Sequence, residues 1–138
     1  MIRGFLLTMA VFLAGTGARA ADDPLGAHRW AHRVVVISAP ATDDSRLLAQ
    51  RAALAALPDA LRARDLVVLE AVGAEAPARR LRESLKLPPD TFRVVLVGKD
   101  GEAKRIAAEP LPVEALFSTI DAMPMRRDEA KRRGEIGR

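Results

Sequence analysis

Three short apolar runs rich in β-branched residues constrain this chain more than any other feature. Arg33-Val-Val-Val-Ile-Ser-Ala39 ends at Pro40, Leu66-Val-Val-Leu-Glu-Ala-Val72 at Gly73, and Phe92-Arg-Val-Val-Leu-Val97 at Gly98. Runs with so little polar alternation suit strands buried on both faces, which predicts a sheet with helices on each side. The intervening segments have helical period. Thr42-Asp43-Asp44-Ser45 supplies a capping oxygen and acids for a first turn, and Leu47, Leu48, Leu54, Leu57 and Leu61 follow at helical spacing. Pro58 bends or splits that helix. Pro77 to Lys86 reads as a second helix, with Leu81 and Leu85 inward and Arg79, Arg80 and Arg82 outward, broken by Pro88 and Pro89. Gly98-Lys99-Asp100-Gly101 is a tight turn into a fourth strand, Ala103 to Ala107. Pro112 to Met123 is a last helix that buries Val113, Leu116, Phe117 and Ile120.

The order is β-α-β-α-β-β-α. Strand, helix, strand implies a right-handed parallel crossover, while the Asp-Gly hairpin adds an antiparallel pair. The expected fold is an α/β three-layer sandwich around a mixed four-stranded sheet, and it resembles the thioredoxin core. In that fold the nucleophile lies between the first strand and the first helix, here Ala39-Pro-Ala-Thr-Asp-Asp-Ser45, and a cis-proline precedes the third strand, near Pro88 or Pro89. The chain has no cysteine in 138 residues. Disulfide exchange and peroxide reduction require a thiolate, so this chain cannot run them.

Residues 1–20 read as a cleaved export signal. Met1-Ile-Arg-Gly4 is its positive start, Phe5 to Leu13 its apolar run, and Ala18-Arg-Ala20 its small-x-small cleavage site. The run falls short of the roughly 20 apolar residues that span a bilayer. A periplasmic or secreted protein follows, with residues 21–125 as one domain and 126–138 as a frayed basic tail.

Charge supports no nucleic-acid function. Of 22 basic and 18 acidic side chains, the leader takes Arg3 and Arg19, leaving 20 against 18 and a net charge of +2. Arg126, Arg127, Lys131, Arg132, Arg133 and Arg138 concentrate the excess in the tail, and the body is close to neutral. With one Trp and no Tyr there is no aromatic platform for bases.

Candidate site residues follow from topology. Ligands of open α/β sheets bind beyond the carboxyl ends of the strands, which would gather Thr42, Asp43, Asp44, Glu70 and Arg93. Acids beside an arginine can act as an acid/base pair, so Asp43, Asp44, Glu70 and Arg93 are the catalytic candidates. The competing roles are structural: a helix cap for Asp43 and Asp44, and for Arg93 and Glu70 an ordinary ion pair or solvated strand ends. Binding candidates are Trp30, Arg33, Thr42, Arg126 and Arg127. Trp30 is read as an anchor packed over the sheet edge, with Arg33 tying the lead segment to an acid. His28 and His32 lack a third ligand, so no metal or cofactor is expected. Gly98–Gly101 lacks the phosphate-loop spacing, and Ser45 lacks a nucleophile-elbow context.

Trp30 with Arg33 to Pro40, Arg64 to Glu70, Phe92 to Gly101 and Leu116 to Arg127 together resemble a family of small secreted bacterial domains of unknown function. Its relatives occur in sushi-repeat and matrix extracellular proteins of animals. The resemblance spans about Pro24 to Arg127. It implies a thioredoxin-like fold and an extracytoplasmic setting, but no reaction. The expectation is a non-redox binding or interaction module with a protein partner; the alternatives are a thiol-independent enzyme or stress-protective protein using the acid/arginine edge, and a surface binder driven by the basic tail.

Overall fold

The computed structural model describes residues 23–135; the expected leader lies outside them. Strands β1 (Arg33–Ala39), β2 (Leu66–Val72), β3 (Arg93–Val97) and β4 (Ala103–Ala107) form one sheet in the order β2-β1-β3-β4. All seven residues of β1 are buried, as its β-branched composition requires of a central strand. β2 runs parallel to it, with Arg33 opposite Leu66 and Ala39 opposite Val72. β3 runs antiparallel, with Val34 opposite Val97 and Ser38 opposite Arg93. β4 returns along β3 with a register shift at Leu96/Val97. The mixed four-stranded sheet is the expected one.

Side-chain alternation divides the core in two. Val35, Ile37, Ala39, Val94 and Leu96 face Leu47 and Leu54 of α1 (Ser45–Ala55) and Leu116 and Ile120 of α4 (Val113–Asp121). Val34, Val36, Val95 and Val97 face Ala78 and Leu81 of α3 (Ala76–Leu85), with Leu25 from the lead segment. Three layers result. Pro58 does split the first helical region: it opens α2 (Pro58–Ala63) within its first turn, where its missing N–H leaves no bond unmade. Gln50 of α1 is buried, and its amide exchanges two hydrogen bonds with the Leu111 backbone, 3.1 Å to the carbonyl and 2.7 Å from the N–H. That clamps the β4–α4 connection to α1.

No peptide bond among the described residues is cis, so Pro88 and Pro89, near the fold's usual cis-proline place, are trans. One expectation is corrected. The segment after Met125 is no frayed tail up to Arg132. It forms α5 (Pro124–Arg132), with Arg126, Glu129 and Ala130 buried. Hydrophobic periodicity could not reveal this helix, because its inward stripe at i, i+3 and i+4 is mostly charged.

Candidate functional site

The carboxyl ends of β1 and β2, the N-terminus of α1 and the start of β3 meet at one end of the sheet. The four catalytic candidates do not converge there. Asp44 is the α1 cap: its Oδ1 accepts the N–H groups of Arg46 at 2.9 Å and Leu47 at 3.4 Å. Its Oδ2 lies 3.2 Å from the Arg46 guanidinium, and that side-chain bond leads the interactions that hold the carboxyl below its ordinary value. Asp43 and Thr42 are exposed. Glu70 lies on the α1 face with Val68 and Val72, and it accepts from Arg51 at 2.6 and 2.8 Å. The Arg51 bond lowers its pKa. Arg93 lies on the other face with Val95 and Val97, and its Nη1 donates to its neighbour's carbonyl, Phe92 O, at 2.7 Å. Strand alternation thus forbids a Glu70–Arg93 ion pair.

The group that organises this end is one the sequence reading turned outward. Arg82 belongs to the stripe Ala78, Leu81, Arg82, Leu85, spaced i, i+3, i+4, i+7 along α3, and it is only 4% exposed. Helical spacing alone would have placed it inward; its charge argued otherwise. Its Nε donates to Ser38 Oγ at 2.9 Å and its Nη2 to Ala39 O and Ala71 O, both at 2.9 Å. Nη1 reaches Gly73 O at 2.5 Å. One guanidinium therefore ties the carboxyl ends of β1 and β2 to α3. Among the described residues no carboxylate pairs with it.

The opposite end of the sheet holds a buried ion network. Arg33 opens β1 and is 1% exposed; its guanidinium bonds Glu129 of α5 at 3.0 and 3.4 Å and Arg64 O at 2.9 Å. Lys99, just past β3, donates to the same Glu129 at 2.5 Å and to Asp65 at 2.9 Å. Arg133 reaches Asp65 at 2.9 Å. Burial pushes the Glu129 carboxyl up, but the bonds from Lys99 and Arg33 outweigh it and hold the group below its ordinary value. Asp65 follows the same balance, against Lys99 and Arg133. Arg33 Nε is left without an acceptor, and an unmet buried donor costs about 1–3 kcal/mol. Arg33 thus does bind an acid, and that acid is Glu129 of the C-terminal helix. Arg126 is likewise buried, bonding Ala63 O at 2.8 Å and Glu135 at 2.5 Å. Of the five binding candidates, Trp30, Thr42 and Arg127 are exposed.

Trp30 is no packing anchor. It is 64% exposed, and its φ of 67° is in the left-handed region that bulky residues avoid. Its N–H donates to Lys99 O at 2.6 Å, which fixes it beside the β3–β4 turn. On the same hairpin β4 is an edge strand, and its Ile106 is 57% exposed. His28 and His32, in and after a 3-10 turn at Gly26–His28, bring their Nδ1 atoms to 3.2 Å. Among the described residues no third His, Asp or Glu joins them in a metal-sized group.

Comparison with known proteins places the chain. Residues 24–129 match the family described as "Domain of unknown function (DUF4174)". The chain belongs to that family. The DUF4174 match runs into α5 and includes Glu129, so it covers the Arg33–Glu129 pair. The chain is 26% identical over 146 residues to Coiled-coil domain-containing protein 80 of Danio rerio, with 86% of this chain and 17% of that protein covered. It is 31% identical over 147 residues to Sushi repeat-containing protein SRPX of Homo sapiens, covering 94% of this chain and 31% of that protein. The chain therefore spans less than a third of either relative. Among solved structures, the reduced 2-Cys peroxiredoxin of Plasmodium vivax superposes with a TM-score of 0.51 at 13% identity, over 80% of this chain and 72% of that one. That likeness establishes the thioredoxin-like fold alone. This DUF4174 chain carries the fold without a cysteine.

Proposed function

We propose that this domain is an exported, non-redox binding module whose partner contacts the β3–β4 hairpin through Trp30 and the open edge of β4. The observation that carries the reading is Trp30. A large aromatic side chain held exposed in a strained backbone conformation has no packing role to justify it, and Trp is the residue type most enriched among interface anchors. The adjacent free strand edge offers unpaired backbone groups for an extended segment, with Ile106 as an apolar contact. The acid/arginine enzyme reading has weaker support. Asp44 is occupied in capping, Glu70 is held by Arg51, and Arg93 is on the other face of the sheet. Export rests on the leader pattern of residues 1–20.

In-cell crosslinking of the full chain, read by mass spectrometry, tests the reading with wild type, Trp30→Ala and Arg93→Ala. A defined partner kept by Arg93→Ala and lost in Trp30→Ala supports it. A partner lost only with Arg93→Ala moves the site to the other end of the sheet. Fractionation should recover the protein outside the cytoplasm with its N-terminus at Ala21; recovery in the cytoplasm with Met1 intact would remove the export step.

A further inference from the structure

Residues 28–32 form a short loop pinned to the rest of the fold at two points. His28 ends the 3-10 turn, and its carbonyl accepts the N–H groups of Ala31 at 3.0 Å and His32 at 2.8 Å. Between the two histidines the chain turns back through the left-handed Trp30. The Trp30 N–H is held by Lys99 O at 2.6 Å, and the N–H of Arg33, next to His32, by Asp65 O at 2.8 Å. This fixed loop sets two half-buried imidazoles against each other, with their Nδ1 atoms 3.2 Å apart. The ring centroids stand 5.3 Å apart and the planes are inclined at 61°. Because the centroids lie farther apart than the nitrogens, both Nδ1 edges are turned toward the gap between the rings. A separation of 3.2 Å is at the long end of the hydrogen-bond range. It is closer to the bite of a metal: two nitrogens at about 2.0–2.1 Å from one tetrahedral ion stand about 3.3–3.4 Å apart, and cis nitrogens on a square-planar ion about 2.8–3.0 Å.

We propose that His28 and His32 form a two-histidine site for Zn²⁺, each ligating through Nδ1, with water in the remaining tetrahedral positions. Neutral imidazole is a favoured ligand of this ion. The backbone bond between the same two residues sets their separation before the ion arrives, so little order remains to be lost on binding. His χ2 is a soft torsion, and ring rotation brings both lone pairs onto one point. The left-handed turn that displays the Trp30 indole thus also sets the bite of the histidines. With only two protein ligands the site is open and exchangeable, unlike a closed structural zinc site, and the fold does not depend on it. Binding carries a signature. Without metal, the contact between the two Nδ1 atoms needs one of them to carry a proton; with both lone pairs on the ion, both rings must carry their protons on Nε2.

Calorimetric titration of the untagged full chain with Zn²⁺ alone, followed by imidazole ¹⁵N NMR, tests this. Saturable binding of one Zn²⁺ is expected, lost at least tenfold in affinity in His28→Gln and in His32→Gln. The Nδ1 signals of both histidines should move together on titration, and the ring that carried its proton on Nδ1 should switch to the Nε2 tautomer. The metal-free Tm identifies a folded variant, and either folded variant decides; the wild-type imidazole spectra decide without any variant. Absence of saturable binding, Zn²⁺ taken up while either Nδ1 signal stays in place, or a folded His28→Gln or His32→Gln chain that binds like wild type would each overturn the proposal.

Discussion

Arg33 and Glu129 stand 96 positions apart in sequence and meet as a buried pair at 3.0 Å, joining the first strand to the last helix. The C-terminal segment is therefore part of the fold. Glu129→Gln should destabilise the protein by about 3 kcal/mol or more, because it leaves Arg33 and Lys99 buried with one carboxylate fewer. Urea denaturation measures this. A loss below about 1 kcal/mol, the worth of an exposed pair, would refute the burial argument. Truncation after Met125 should destabilise at least as much, so a binding defect in such a chain says nothing about tail charge.

The same network sets an acid limit. Glu129 and Asp65 are held below their ordinary pKa in the folded chain. Depressed carboxylates stabilise fully above the unfolded value, and that contribution is lost as pH falls through the folded value. Stability should be flat from pH 7 to about pH 5 and decline below it, as the ordinary carboxylate range is crossed. Urea midpoints from pH 7 to 3 test this. The decline should be shallower in Glu129→Gln, and an equal decline in both proteins would assign the acid sensitivity elsewhere.

At the other end of the sheet, Ser38→Ala removes the hydroxyl that accepts from Arg82 Nε. The expected loss is about 1.5–3 kcal/mol, the range for a hydrogen bond to a charged group. Arg82→Met should cost more, since it also removes the bonds to the carbonyls of Ala39, Ala71 and Gly73. Equal losses in the two variants would mean that the carbonyl bonds contribute nothing.

Trp30 is the chain's one tryptophan and there is no tyrosine, so intrinsic fluorescence reports on a single site. Native emission should already be at the long wavelength of a solvated indole, and it should be open to acrylamide quenching before unfolding. Trp30→Asn should change stability by no more than about 0.5 kcal/mol, since the side chain is exposed and Asn tolerates left-handed backbone. Blue-shifted, quencher-resistant emission would return Trp30 to a packing role.

β1, β2 and β3 were legible in the sequence because their apolar runs carry burial in their composition, and exposed β4 was legible from the Gly98–Gly101 turn before it. β1, β2 and β4 have the expected limits, β3 begins one residue later at Arg93, and Pro58 divides the first helical region as its chemistry requires. The charged interior was not legible. Arg82 and the α5 stripe of Arg126 and Glu129 satisfy helical spacing, but burial of a charge depends on partners supplied by distant segments, and hydrophobic pattern is blind to those. The Glu70–Arg93 pairing failed for a related reason: both residues belong at the expected end of the sheet, and only the register across β1 shows that they face opposite ways.

Site-specific photocrosslinking in the producing cell probes the hairpin surface directly. A photoreactive residue is placed at position 30, and at exposed position 114 on α4 as a control. A discrete adduct is expected from position 30 that is absent at 114 and disappears when Ile106→Lys is added on the β4 edge. The same adducts from both positions, or none from position 30, would contradict a binding surface on the β3–β4 hairpin.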